Sequence, residues 1–319
     1  MNIRTILPEC LLCKNKCLEQ ISIHNVFGEN IYYCSECGFG FCWPMPDDNT
    51  LRDYYLKEYY RNQEEKFSSY FYVLKSYKYA WSRFQYLSKF IQKNIRVLDI
   101  GCSFGSLLEY FQDMGAEVFG TEASRQPINN ISSKLDGRIK EGFDFFREYP
   151  SEQFDLIILS HVLEHFNNPY NLDKCCNMLK ENGLLFVEVP NEGRIFLDYR
   201  KIGGFGSHLM WFTHNALERL GKILRLELIP GSTKTYNVKK GFMDFLSKDH
   251  PLKSQHQQEW RKKEWGDSFE KASIVSKSIP DSVARLFFSP KNYAKLFRTN
   301  YFSSSKLGGI IRVIYKKSR

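Results

Sequence analysis

The 319-residue chain predicts an α/β fold, a mostly parallel sheet covered by helices on both faces. Three observations carry that expectation. Strand-like and helix-like segments alternate from residue 95 onward. The strand-like runs are continuously apolar rather than alternating, as in strands covered on both sides. One of them, "RVLDI", breaks into the turn "GCSFG" just before the helical "SLLEYF".

Residues 1–45 are rich in cysteine and hold two short β-like pieces, "ISIHNVF" and "NIYYC". Such a piece is too small for an ordinary core and needs a staple. "CLLC" at 10–13 and "CSEC" at 34–37 supply one: two C-x2-C pairs with twenty residues between them, the spacing of a four-thiolate zinc ribbon. Cys10, Cys13, Cys34 and Cys37 are therefore the expected ligands of a structural zinc, since four thiolates leave no position for water. Two further thiols nearby, Cys17 and Cys42, leave open which four bind.

Residues 46–94 read as a helical linker and cap. "FSSYFYVLKSYKYAWSRFQYLSKFIQ" repeats aromatic and aliphatic residues at three- and four-residue steps, as an amphipathic helix does. The alternating domain occupies 95–236 through "RVLDI", "EVFGTE", "FDLIILS" and "GLLFVEVP", and closes at 307–319 with "GGIIRVIYKK". Between the two parts lies a basic insert, 237–306. It accounts for most of the net charge of +9: from Lys239 to Lys306 there are 14 Lys/Arg against 7 Asp/Glu.

No run approaches the roughly 18 apolar residues of a membrane span, and the first residues lack the apolar core of a signal peptide. A cytoplasmic location is the expectation. In a reducing compartment the nine cysteines serve metal binding or burial rather than a disulfide framework.

In an open parallel sheet, ligands bind at the carboxyl ends of the strands. "DIGCSFG" places Gly101 and Gly105 where backbone must come close to a ligand, and Glu122 follows at the distance expected of an acid on ribose hydroxyls. A dinucleotide fingerprint, G-x-G-x-x-G, is missing. The turn resembles instead the first motif of the class I S-adenosylmethionine-dependent methyltransferases, approximately D-x-G-x-G-x-G, with Asp99, Gly101, Ser103 and Gly105 in its places. "FDLIILSHVLEHFNNP" and "GLLFVEVPN" are similar to the fourth and fifth strands of that superfamily.

The resemblance implies a Rossmann-like, seven-stranded sheet with S-adenosylmethionine as cofactor. It places Asp99, Gly101, Cys102 and Gly105 in the cofactor turn, with Cys102 and the two glycines at the methionine end. Glu122 falls on the ribose, Phe143 and Asp144 near the adenine, and Ser160 and His161 at the end of the fourth strand. A zinc ribbon followed by Pro44, Pro46, Leu51, Tyr54, Tyr55, Tyr59 and Tyr60 resembles the subfamily that methylates nucleotide-activated sugars, in which this module and its tyrosines help cover substrate and cofactor. The implied reaction is methyl transfer to a sugar, with carbon and oxygen both open. A lipid-linked glycan or another small metabolite, or a binding module without catalysis, are the alternatives.

Methyl transfer needs a group to remove the acceptor's proton, and histidine titrates near neutrality. His208, in "GFGSHLMWFTHNALERL", follows the fifth strand amid aromatics and glycines suited to a sugar pocket, and ranks first. Similar sugar C-methyltransferases often carry an acid just before that histidine, where this chain has Ser207. His161 and Tyr55 are the further catalytic candidates. A four-residue spacing on a helix would bring His161 and His165 to one face as a metal pair. The superfamily commonly carries this text without metal, so they read as pocket and packing residues, and His214 as the start of a helix capped by Thr213.

The insert mixes cations with aromatics and suits a pyrophosphate, an anionic lipid surface as a peripheral contact, or a solvated cap. No recognisable RNA-binding module accompanies it, which ranks nucleic acid last. Arg261, Lys262 and Lys263 form its densest cluster.

Overall fold

The continuous apolar runs become strands, and the glycine and asparagine positions become the turns between them. The computed structural model describes residues 8–24, 26–59, 70–128, 133–143, 149–191, 207–238, 302–304 and 310–318. In chain order the strands are β1 (Glu19–Ile23), β2 (Asn30–Cys34), β3 (Phe39–Trp43), β4 (Arg96–Ile100), β5 (Glu117–Glu122), β6 (Ile139–Glu141) and β7 (Phe154–Ser160). They continue with β8 (Leu179–Pro190), β9 (Met210–Trp211), β10 (Leu226–Leu228), β11 (Lys234–Val238), β12 (Phe302–Ser304) and β13 (Ile310–Lys317). The longer helices are Tyr70–Leu87, Ser106–Asp113 and His214–Ile223.

The chain forms two compact units. One comprises Met1–Leu51, Tyr149–Asn237 and Ser304–Arg319; the other comprises Arg52–Glu148 and Val238–Ser303. The Rossmann-like sheet expected from the sequence is present, and mixed. In the second unit β4, β5 and β6 are parallel neighbours. In the first, β7 and β8 are parallel, while β13 runs antiparallel to β8 and also pairs antiparallel with β10 and β11. Leu156 to Leu159 of β7 are all fully buried, as are Leu185, Phe186, Val187 and Val189 of β8. Both faces of these strands are covered, and each such side chain contributes about 1.5–3 kcal/mol.

The helix Tyr70–Leu87 packs on Ser106–Asp113 through Tyr77, whose hydroxyl donates to Glu109 Oε1 at 2.7 Å, and through Trp81 and Phe84 against Tyr110. Its amphipathic reading therefore holds where its side chains are described.

The cysteine module builds an antiparallel sheet, β1-β2-β3, with Ile31, Phe39 and Phe41 fully buried. A fourth strand comes from far away in sequence: β9 pairs with β3, Gly40 opposite Trp211 and Phe41 opposite Met210. The sheet of this module is thus completed by residues outside 1–45. Thr213 caps the helix His214–Ile223, its Oγ1 accepting from Ala216 N at 3.3 Å, in line with the sequence reading. Most of the basic insert, including Arg261, Lys262 and Lys263, lies outside the described residues. Among those described, no helix is long and apolar enough to cross a membrane.

Candidate functional site

Strand β4 ends in a tight turn tied to β5. The backbone amides of Gly101 and Cys102 both donate to the Thr121 carbonyl, at 2.8 and 3.0 Å, and Gly105 N–H donates to the Cys102 carbonyl. Gly101, Ser103 and Gly105 have φ of 71°, 52° and 69°, all left-handed. At Gly105 the left-handed φ favours glycine, and a Cβ would lie 2.5 Å from Leu135 Cδ1, so that side chain would have to shift. Ser103, which stands where the family motif has its middle glycine, bears a left-handed cost on the order of 1–2 kcal/mol. Its amide donates to Glu122 Oε2 at 2.9 Å, which offsets that cost.

Glu122, only 5% exposed, also accepts from Ser124 N at 3.1 Å through Oε1. A carboxylate has about four acceptor positions. Holding the turn and receiving ribose hydroxyls are therefore compatible duties. Asp99 is likewise buried at 5% exposure, and burial followed by the Asp99 and Glu122 charges raises the Cys102 thiol, which stays a neutral wall of the turn. In the same unit Tyr55 sits 6.0 Å from the ring of Phe143, with Arg52 5.8 Å over that ring. Tyr54, Tyr55 and Tyr59 form one aromatic group. Tyr55 is thus brought to the residue expected at the adenine, and Asp144 falls outside the described residues.

In the first unit the four expected cysteines converge. Cys10 and Cys37 sulfurs are 3.5 Å apart, Cys13 and Cys34 sulfurs 3.4 Å, and all four lie within 4.8 Å of one another. Tetrahedral zinc with bonds of about 2.3 Å separates its sulfurs by about 3.8 Å, so the donor set fits that ion. A hydrogen bond from Cys37 outweighs burial and lowers the Cys10 thiol below its ordinary range. Cys17 is exposed and Cys42 is buried on β3, both outside the cluster. Gly38, at φ 71°, follows the second pair, and a Cβ there would meet Thr213 Oγ1 at 2.4 Å.

A chain of buried charges begins where β7 ends. Arg312 of β13 and Glu188 of β8 are register partners, 1% and 0% exposed, and the Arg312 guanidinium donates to Glu188 Oε2. Ser160 Oγ donates to Glu188 Oε1 at 2.9 Å. His161, at φ 57°, pairs with Glu188 through Nε2 at 3.4 Å and with Glu164 through Nδ1 at 3.2 Å. Burial pulls the His161 imidazole down, but these two carboxylates prevail and hold it at about 9. Burial would raise Glu164, and His161 instead keeps its carboxyl below the ordinary range. His161 is therefore charged at neutral pH and suited to fixing carboxylates.

His165 faces a different neighbour. The left-handed backbone at His161 and the short turn Leu163–His165 keep the two histidines off a common helical face. His165 instead packs edge-on against His208, ring centres 4.8 Å apart, and its Nδ1 meets the Ser207 carbonyl at 3.1 Å. Burial pushes His165 down to about 4, so its ring is neutral at pH 7. Donor atoms of Glu164, His165 and His208 all lie within 4.8 Å of one another. Glu164 is thus the carboxylate near His208, at a distance beyond a direct hydrogen bond, and Ser207 stands at the position just before it in sequence.

Backbone anchors hold this cluster. Leu209 N donates to the Glu164 carbonyl at 2.8 Å, Cys42 N to the Leu209 carbonyl at 2.9 Å, and His24 Nε2 to the His208 carbonyl at 2.8 Å. Glu164, Glu188, Arg312 and His24 were not singled out from the sequence. For Glu188 and Arg312 a signal exists: a lone acid in "LLFVEVP" and a lone base in "IIRVIY" imply each other, because a buried charge needs a partner.

A family model described as a methyltransferase domain matches residues 72–231. Among curated relatives, a ubiquinone biosynthesis O-methyltransferase of Glaesserella parasuis is 35% identical over 107 residues, 30% of this chain and 45% of that protein. One from Chelativorans is 30% identical over 142 residues, 42% of this chain and 54% of that protein. The chain spans about half the length of the curated relatives it matches. A solved S-adenosylmethionine-dependent methyltransferase from Archaeoglobus fulgidus aligns over 82% of this chain and 100% of its own, at 18% identity and a TM-score of 0.45. With half of its length under the one family model, the chain belongs to the methyltransferase domain family.

Proposed function

We propose that the protein methylates a sugar, nucleotide-activated, at a hydroxyl oxygen, and that its amino-terminal module carries one structural zinc on Cys10, Cys13, Cys34 and Cys37. The observation that carries this reading is the union of that module with the segment bearing His208 through β3 and β9. A cysteine module followed by the tyrosine-rich linker is the arrangement of the sugar-modifying subfamily the sequence resembles. Two facts favour oxygen over carbon: the relatives are named O-methyltransferases, and Ser207 replaces the acid that sugar C-methyltransferases often carry.

In this reading Asp99, Gly101, Cys102 and Gly105 hold the methionine end of the cofactor and Glu122 its ribose. Phe143 with Tyr55 covers the adenine side, with Asp144 beside it, and Ser160 and His161 close the site after β7. The cofactor brings the electrophile, so the chain has only to orient an acceptor and take its proton. His208, with Glu164 and His165, is the proton-handling centre. The basic insert receives the acceptor's pyrophosphate.

A second reading rests on the relatives' names: the acceptor hydroxyl is phenolic, as on a quinone precursor. Isotopically labelled S-adenosylmethionine, offered with a panel of nucleotide sugars that includes 4-keto forms and with catechols, separates the two. Label on the oxygen of a nucleotide sugar is the expected result. Label on carbon, or on catechols alone, overturns it.

A further inference from the structure

Apart from the four cysteines, one other group of metal-ligating side chains converges among the described residues: Glu164, His165 and His208, two imidazoles and a carboxylate with donor atoms within 4.8 Å of one another. Three features point to a ligand there. Glu164 is 1% exposed; His161 occupies its Oε1, and its Oε2 is buried without a hydrogen-bond partner. Such an oxygen costs on the order of 1–3 kcal/mol or more unless something compensates it. His165 turns Nδ1 to the Ser207 carbonyl, the arrangement by which a backbone acceptor fixes the tautomer and angle of a metal-ligating histidine. The cluster is also held from outside, by His24 on the His208 carbonyl and by Leu209 N on the Glu164 carbonyl.

We propose that Glu164, His165 and His208 form a second metal site, distinct from the cysteine site, that binds a divalent transition-metal cation. Two imidazoles and one carboxylate suit zinc, manganese, iron or cobalt and leave further coordination positions open. Donors bound at 2.0–2.2 Å sit about 3.4 Å apart on a tetrahedral ion, so closure from 4.8 Å asks side-chain movements of about 1 Å. The two oxygens of Glu164 divide their work, Oε1 to His161 and Oε2 to the cation. If the reading under Proposed function holds, the open positions would take the acceptor hydroxyl oxygen, the cation would make that hydroxyl more acidic, and its proton would leave to solvent, with His208 serving as a ligand in place of a base.

The test is metal analysis of the full chain after exchange against micromolar zinc(II), with His208→Ala as the main variant, because that side chain is only half-buried, and Glu164→Gln as the second. Cofactor affinity and circular dichroism are measured on the same samples. The expected result is one zinc per chain more in the wild type than in either variant, with the cysteine-bound zinc, the dichroism and the cofactor affinity retained. Equal zinc content in wild type and His208→Ala overturns the site. Loss of cofactor binding by the wild type would instead strike the methyltransferase reading, and leaves the zinc difference intact.

Discussion

Two regions with chemistry to perform are put together in opposite ways. In the glycine turn, Glu122 fastens Ser103 from 19 residues away and Ser124 from two. Around His208, the anchoring imidazole of His24 comes from 184 residues away and the His165 contact from 42. The turn is a local device, set by the strand, the glycines and an acid on the next strand. The histidine cluster is a meeting of remote segments and depends on whatever holds them together. Damage to the first should therefore fall on cofactor binding, and damage to the scaffold of the second on turnover.

The largest effect is expected from Cys10→Ser with Cys37→Ser. Structural zinc contributes on the order of 10–16 kcal/mol in finger peptides, so the module loses its order and zinc content falls by at least one per chain. With β3 gone, β9 loses its partner and turnover collapses while cofactor affinity persists. Calorimetric titration with S-adenosylmethionine checks this, and a parallel loss of affinity would erase the contrast. Glu122→Ala comes next. It removes two amide-to-carboxylate bonds of about 1.5–3 kcal/mol each, and cofactor dissociation should rise on the order of 10- to 100-fold, with zinc content unchanged. The smallest effect is His24→Ala, which deletes one buried hydrogen bond worth about 1–3 kcal/mol. Denaturant unfolding should record that loss, and turnover should fall without change in cofactor affinity. Wild-type turnover would mean that the His208 segment needs no support from the module.

How much was legible follows the same division. The parallel strands, the turn and the two cysteine pairs are written in short spacings, because backbone geometry and the convergence of paired thiols constrain neighbours in sequence. Strand β9 is two residues long and carries no periodicity, so nothing local announces that Met210 and Trp211 complete the sheet of the cysteine module. Glu164 reads as one more acid after a strand until His208 is folded beside it. The helical pairing of His161 with His165 that the sequence reading set aside is also excluded by the backbone, since His161 takes a left-handed φ. Ser103 stands where the motif has a glycine, and what makes it tolerable there, the bond from its amide to Glu122, is visible only in the fold.

The pairing of β3 with β9 also sets an order of events during synthesis. Gly40 emerges about 170 residues before Trp211, its register partner. At about 5–20 residues per second, the module waits roughly 10–30 s with its edge strand open. Bringing the partners together then carries the loop-closure entropy of that long separation, so this contact belongs among the late ones. Because the His208 segment is held in part through that contact, the ability to turn over substrate should be the last property a newly made chain acquires, after it can already hold its cofactor.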